Sequence, residues 1–432
     1  MADGLKLPAA PPRAPLPLAP RPASRPHATP RHSVGHHLDE VRKIILNIAF
    51  LGLVGLLVFA AARVLRSDDL MIDAIGMPKN IKELGYTEDG AALILSDNIR
   101  RIAEAAKSDG GLLTIKTNFD EQDISVPVEG LSFGSILRLL RQALGLPQNR
   151  LIGDFVCPTE PCITSNLEMR LRKLEGTGAP RPLATVKGPT PDAILQTAAE
   201  RYMDEKEPMA LSLYLYHTGP ERKQEALDIA ARLVRADDPE KLAALNLIGV
   251  ELFERPGKKP EDLKQAINYF QQMAEEDPGI AMAYTNWGAA LSALGDKAGA
   301  VEKYRKAIEL NPGEAMQHHN LGAVLSDEGK DAEAVSAFEQ AIALNPDDPD
   351  SYVGLASSQL KLGKAAESLA SYENAARLSP GNAGIQYSIG VAADQAGQRA
   401  TARQAFESYL ALSPDATDKA TVQGYIEQLR KP

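Results

Sequence analysis

A segment of 34 residues occurs four times in succession and constrains the fold more than any other feature of the chain. The copies span residues 281–314, 315–348, 349–382 and 383–416, and they agree where two antiparallel helices would touch. The first half of each copy has a small residue beside a large apolar one, followed by a glycine suited to ending a helix. These residues are Gly288, Gly322, Ala356 and Gly390; Trp287, Leu321, Leu355 and Ile389; and Gly295, Gly329, Gly363 and Gly397.

The second half of each copy has its own helical spacing. It carries a small residue, an aromatic residue four positions later, and a closing proline. A helix pair of this kind has two apolar faces that it cannot bury alone, so the copies are expected to stack on one another. These residues are Ala300, Ala334, Ser368 and Ala402; Tyr304, Phe338, Tyr372 and Phe406; and Pro312, Pro346, Pro380 and Pro414.

On these residues the repeat resembles the tetratricopeptide repeat family. The resemblance implies a right-handed superhelix of helix pairs, with a concave groove that binds peptides or partner proteins. It implies no reaction and no cofactor. The family geometry directs the first helix of each repeat toward the groove, which implies a lining of Thr285, Asn286, Ala289, His319, Asn320, Ala323, Val353, Gly354, Ser357, Leu360, Tyr387, Ser388 and Val391.

Two features of this lining bear on the partner. The basic residues that clamp a C-terminal carboxylate in chaperone-binding members are missing from these positions. Asn286 and Asn320 suit the backbone of an extended peptide, but asparagine is also common at this repeat position, and both interpretations stay open. The C-terminal half of the lining is expected to form an apolar patch of Val353, Leu360, Tyr387 and Val391.

The first 62 residues predict a tail and a membrane anchor. Residues 1–43 are rich in Pro, Arg and His and predict disorder; His27, His32, His36 and His37 could in principle collect a metal, although a solvated tail is preferred. Residues 44–62 form an apolar run about 28 Å long as a helix, which predicts one transmembrane span. Flanking arginines favour a cytoplasmic N-terminus and extracytoplasmic C-terminal domains, periplasmic in a Gram-negative cell. The alternative is a cleaved signal peptide, for which the polar lead is too long.

Residues 67–189 predict a small α+β domain. Helices are expected from Thr87 to Lys107 and from Ser132 to Gly145, and residues 176–191 are expected to form a linker. Strands are expected at 70–75, 112–116, 123–128, 150–156 and 166–174.

Cys157 and Cys162 lie at the two ends of the sequence CPTEPC, in the connection between the last two of these strands. A single pair without a neighbouring histidine is a poor zinc site. The two residues form a loop disulfide in an oxidising compartment, or two thiols otherwise.

The rest of the chain predicts a solenoid over residues 192–416, with degenerate repeats before 281 and a capping helix over 417–432. The predicted fold class is therefore mainly α: a C-terminal solenoid preceded by one transmembrane helix and a small α+β domain. His318 and His319 point about 100° apart on a helix, so they cannot share a metal, and His318 is expected to be a packing residue.

Composition and motifs narrow the function. A net charge of -10 argues against a nucleic-acid partner, and no catalytic motif appears at a credible spacing. The predicted function is a non-catalytic, membrane-anchored scaffold that docks a protein or peptide in its groove. The alternative is a structural subunit that self-assembles, as a homo-oligomer, through residues 67–189 in an envelope complex.

Overall fold

The computed structural model describes residues 70–107, 124–125, 148–159, 166–176 and 178–431. Its strands are β1 Leu70–Ile72, β2 Ile124–Ser125, β3 Gln148–Val156, β4 Glu168–Gly176 and β5 Arg181–Lys187. The helices before the four clear repeats are α1 Lys79–Glu83, α2 Glu88–Lys107, α3 Pro191–Lys206, α4 Pro208–Thr218, α5 Lys223–Ala236, α6 Lys241–Glu254 and α7 Pro260–Glu276. The remaining helices are α8 Ala281–Leu294, α9 Lys297–Leu310, α10 Ala315–Asp327, α11 Asp331–Leu344, α12 Pro349–Lys361, α13 Ala365–Leu378, α14 Ala383–Gln395, α15 Arg399–Leu412 and α16 Lys419–Arg430.

The five strands form one mixed sheet in the order β2-β1-β3-β4-β5. β1 runs parallel to β2 and β3, whereas β3, β4 and β5 are antiparallel neighbours. Burial alternates along β4, since Met169 and Leu171 are buried while Arg170 is exposed. Thr87 caps the start of α2, since the Gly90 amide donates to Thr87 Oγ1 at 3.0 Å.

The interpretation of residues 176–191 as a linker is wrong at its centre. β5 occupies positions 181–187 and pairs along β4, with Val186 opposite Met169. The sequence did not indicate this strand because glycines and prolines flank it and Pro182 lies inside it, and these residues are typical of loops. Pro182 is tolerated because β5 is an edge strand of the described sheet. The strand predicted at 112–116 and the helix predicted from Ser132 to Gly145 lie outside the described residues.

The sheet and the first helices share one hydrophobic core. A single cluster of buried side chains includes Ile72 of β1, Ile99 of α2, Leu195 of α3 and Leu213 of α4. The described residues, from 70 to 431, belong to one compact unit. The sequence places a boundary between the α+β domain and the solenoid near residue 190, and at this point the hydrophobic core is continuous. The division into these two domains stays a prediction.

From α4 onward the helices form successive pairs: α4/α5, α6/α7, α8/α9, α10/α11, α12/α13 and α14/α15. In four of these pairs, α6/α7, α8/α9, α10/α11 and α14/α15, a glycine of the first helix lies against an aromatic ring of the second. A Cβ atom added at Gly322 would lie 3.0 Å from the Phe338 ring, and one added at Gly354, in the next repeat, would lie 2.4 Å from the same ring. Phe338 is thus wedged between two consecutive repeats, and this contact sets their spacing.

The last helix continues the 34-residue register. Gly424 of α16 follows Gly390 at this interval, and Val422 and Ile426 are buried against the last complete repeat. Gln423 and Glu427 are exposed on the other side of the helix. α16 has the position of a further first helix and covers the last complete repeat.

The predicted membrane helix, residues 44–62, lies outside the described residues, as does the tail. Among the helices that the structure describes, none is long and apolar enough to cross a membrane. The longest, α2, carries Asp97, Arg100 and Arg101 near its middle, whereas a span needs about 20 predominantly apolar residues. This finding contradicts the predicted localisation as a single-pass membrane protein with extracytoplasmic C-terminal domains, and the function proposed below includes no membrane anchor.

The packing of Phe338 makes a prediction for stability. Gly322→Leu should lower the free energy of unfolding by about 1–3 kcal/mol, because the new side chain must displace the ring between α10 and α11. Chemical denaturation of the full chain measures the change. Gly424→Leu is the matched control at the same repeat position, where an added Cβ meets no atom within 4 Å among the described residues. Equal stability of the two variants would contradict the tight packing of Phe338 against Gly322.

Candidate functional site

The predicted groove lining begins on α8, where two of its residues are already engaged. Thr285 is 4% exposed and donates its hydroxyl to the Ala281 carbonyl, at 3.1 Å. Asn286 Nδ2 donates to Oδ1 of Asn246, at 2.8 Å, and Asn246 on α6 is fully buried. Asn286 therefore joins α8 to the preceding repeat, which favours a structural role over the binding of a peptide backbone.

The next part of the lining, on α10, contains a polar contact between repeats. His319 Nδ1 lies 3.0 Å from Ser351 Oγ and 3.8 Å from Asp348 Oδ2, and its ring meets Phe338 edge to face. Asp348 caps α12 and accepts the Ser351 hydroxyl at 2.5 Å. Ser351 is 1% exposed, so this serine cannot act as a nucleophile on a substrate, and the group fixes the α10/α12 junction.

The remaining residues of α8 and α10 that the sequence singled out do not form a metal site. His318 is half-buried, with Nε2 3.3 Å from the Pro312 carbonyl oxygen. In the described residues, no group of three or more His, Cys, Asp or Glu side chains could hold a metal ion. Of the other lining residues on α8 and α10, Ala289 and Asn320 are half-buried and Ala323 is exposed.

Two serines of the lining contact a tyrosine of the intervening second helix. Burial raises the pKa of the Tyr372 hydroxyl, and its hydrogen bonds to Ser388 and Ser357 act in the opposite direction. Tyr372 lies on α13, while the serines lie on α14 and α12 respectively. The two serines therefore anchor consecutive first helices to the same side chain.

The predicted apolar patch is partly structural. Val353, Leu360, Tyr387 and Val391 are all half-buried and pack against the core of the last two repeats. They are exposed enough to touch a partner, yet each also stabilises the array. The patch therefore borders the core rather than standing free of it.

Sequence reasoning missed a pocket of about 380 Å³ that continues this patch toward the C-terminus. Tyr425 of α16 forms one wall, and it is 48% exposed. Tyr425 lies 34 residues after Val391 and so occupies the same repeat position. Earlier copies have Ala289, Ala323 and Ser357 at this position. This register could have revealed the site. Its lining is Tyr387, Val391, Asp394, Gln395, Arg399, Phe406, Tyr425, Gln428 and Leu429.

Three aromatic rings shape this C-terminal pocket. Phe406 is buried between α14 and α16, and its ring stacks with that of Tyr425 at a centroid distance of 6.4 Å. Tyr387 meets Phe406 edge to face at 5.6 Å. At the rim, Arg399 Nη2 donates to the Gln428 carbonyl oxygen at 3.0 Å, while the Asp394 side chain is exposed. The arrangement offers ring surfaces and a carboxylate, without a nucleophile.

Cys157 packs beside the core of the sheet and its sulfur is in a disulfide. Cys162 lies outside the described residues. The pairing of these two residues stays a prediction.

Comparison with known proteins identifies the repeats. Residues 281–314 match one tetratricopeptide repeat model, and residues 319–383 and 353–417 match a second. The chain therefore contains tetratricopeptide repeats. Proteins built from these repeats are generally non-catalytic interaction scaffolds. No curated protein is detectably similar to the chain in sequence.

Solved structures with tetratricopeptide-like folds resemble the array. MamA is 24% identical over 42% of this chain and 95% of its own, with a TM-score of 0.37. YrrB, "a TPR protein with an unusual peptide-binding site", is 18% identical over 45% of this chain and 97% of its own, at 0.39. PilF of Pseudomonas aeruginosa is 22% identical over 52% of this chain and 99% of its own, at 0.43. Likenesses at this level carry no argument about function.

The asparagine contact between repeats can be tested directly. Asn286→Ala should lower the free energy of unfolding by about 1–3 kcal/mol, because it leaves the buried Oδ1 of Asn246 without its donor. Thermal unfolding of the full chain measures the effect, with Asn320→Ala at the same repeat position as the control. If Asn286→Ala melts like the parent protein, the contact does not stabilise the array.

Proposed function

We propose that the concave side of the repeat array docks a protein or peptide partner and performs no chemistry on it. The lining carried by α8, α10, α12 and α14 supports this proposal, because these first helices recur at one interval and present successive side chains to one surface. Most polar groups of that surface are already engaged in hydrogen bonds within the array. Binding energy must then come from the surface that remains accessible.

The C-terminal pocket is the observation that carries the proposal. Tyr425 is among the most exposed large apolar side chains of the described residues, and it lies in a concavity rather than on a convex surface. Aromatic side chains that line pockets often supply most of the energy of an interface. The half-buried Tyr387 and Val391 extend the contact area from the pocket into the predicted patch.

The predicted alternative is self-assembly through residues 67–189. In the described part of this region, the sheet buries one face against helices of the same chain. The mass of the protein in solution separates the two functions: a monomer at all concentrations removes self-assembly and leaves docking intact.

Tyr425 provides the test of docking. Tyr425→Ala should abolish affinity capture of a partner from a lysate of the source cells, because it removes an exposed wall of the pocket. Its effect on stability should be small, since substitutions at exposed positions usually change the free energy of unfolding by no more than about 0.5 kcal/mol.

Leu412→Ala is the matched control. Leu412 is 45% exposed, similar to Tyr425, but it does not line the pocket. Capture should persist with this variant. Equal capture by the parent and the Tyr425→Ala variant would show that the partner binds elsewhere.

A further inference from the structure

The C-terminal pocket combines ring faces with a negative charge. The rings of Phe406 and Tyr425 lie nearly parallel, with an interplanar angle of 23°, and Tyr387 stands across Phe406 at 67°. The face of an aromatic ring carries partial negative charge and attracts a cation placed over it. Val391 and Leu429 add apolar surface beside the rings, which suits the aliphatic stem of a long side chain.

The charges at the rim are not equivalent. Arg399 also lines the pocket, but its guanidinium already donates to a backbone carbonyl in the last turn of α16, where the helix dipole favours positive charge. Asp394 projects from α14, is exposed, and forms no ion pair with the residues that the structure describes. Its carboxylate remains accessible to a ligand. The chain as a whole has a net charge of -10, which also favours a basic partner.

We propose that the C-terminal pocket binds an arginine side chain of an extended basic peptide. The guanidinium lies over the ring of Tyr425 or Tyr387 and pairs with Asp394, and the aliphatic stem packs on Val391 and Leu429. A planar guanidinium stacks on aromatic faces and bonds carboxylates more effectively than an ammonium group does. This inference rests on the proposed docking function and specifies the chemistry of the partner.

The first step of the test is a selection of random twelve-residue peptides on the immobilised full chain. The selected peptides should share an arginine. Fluorescence anisotropy then compares one such peptide with the same peptide in which citrulline, which is neutral and nearly isosteric, replaces that arginine. The arginine peptide should bind about tenfold more tightly, and its affinity should fall as NaCl rises from low to high concentration.

Variants of the protein locate the contact. Asp394→Asn should weaken the arginine peptide about fivefold and leave the citrulline peptide unchanged. Tyr425→Leu keeps an apolar wall but removes the ring, so it should also weaken the arginine peptide selectively. Asp415→Asn removes an exposed carboxylate outside the pocket and is the matched control. Circular dichroism confirms that each variant is folded.

Several outcomes would overturn the inference, and they differ from a failure of docking. If the selected peptides share an apolar side chain and no arginine, or if citrulline binds as well as arginine, the pocket accepts a neutral anchor and the docking function survives. If Asp394→Asn and Asp415→Asn have equal effects, the cation binds elsewhere. If the protein selects no peptide and Tyr425→Ala still captures its partner, the proposed docking function itself fails.

Discussion

In three of the four clear repeats, the aromatic ring on the second helix rests against a glycine on the first. An added Cβ would lie 3.0 Å from the Tyr304 ring at Gly288 and 2.6 Å from the Phe406 ring at Gly390. A larger side chain at these glycines must displace the ring or the helix that carries it. Because interiors are closely packed, such a shift would pass to the next repeat through rings such as Phe338. The spacing of the whole array thus depends on this contact.

The same contact produces the candidate binding surface. Phe406 fills the notch at Gly390 from one side and forms the base of the C-terminal pocket on the other. The pocket therefore has a rigid base fixed by packing, and a wall, Tyr425, that is exposed and contributes less to stability. Phe406 contributes both to stability and to the pocket, whereas Tyr425 contributes mainly to the pocket. Substitution of Tyr425 can therefore test binding with little effect on folding.

Periodicity explains why most of the fold could be predicted. The 34-residue register locates the pairs α8/α9 through α14/α15, and the prolines and glycines mark their ends. It does not predict β5, because a seven-residue edge strand containing Pro182 has no repeating partner and depends on pairing with β4. The membrane localisation is wrong for a different reason: it rests on the length and hydropathy of residues 44–62 and on the flanking charges, and no described helix is long and apolar enough to cross a membrane.

The site was predicted less completely than the fold. The resemblance to tetratricopeptide repeats predicts Tyr387 and Val391 as lining residues, and both line the pocket. It also predicts Thr285 and Asn286, whose side chains already form hydrogen bonds within the array. The partner of Asn286 is Asn246, in a repeat whose lengthened turn at 255–259 disturbs the register, so the contact could not be predicted from spacing. Tyr425 was assigned to a cap, although the register continues to Gly424.

Hydrogen exchange on the full chain, with and without a captured partner or selected peptide, tests the docking surface most directly. Docking at the C-terminal pocket should slow the exchange of backbone amides in α14 and α16, which carry Tyr387, Asp394 and Tyr425, because a ligand in the pocket restrains both helices. The helices α3 and α5, at the other end of the array, should exchange as before. Protection confined to α3 and α5, with α14 and α16 unchanged, would contradict docking at the C-terminal pocket.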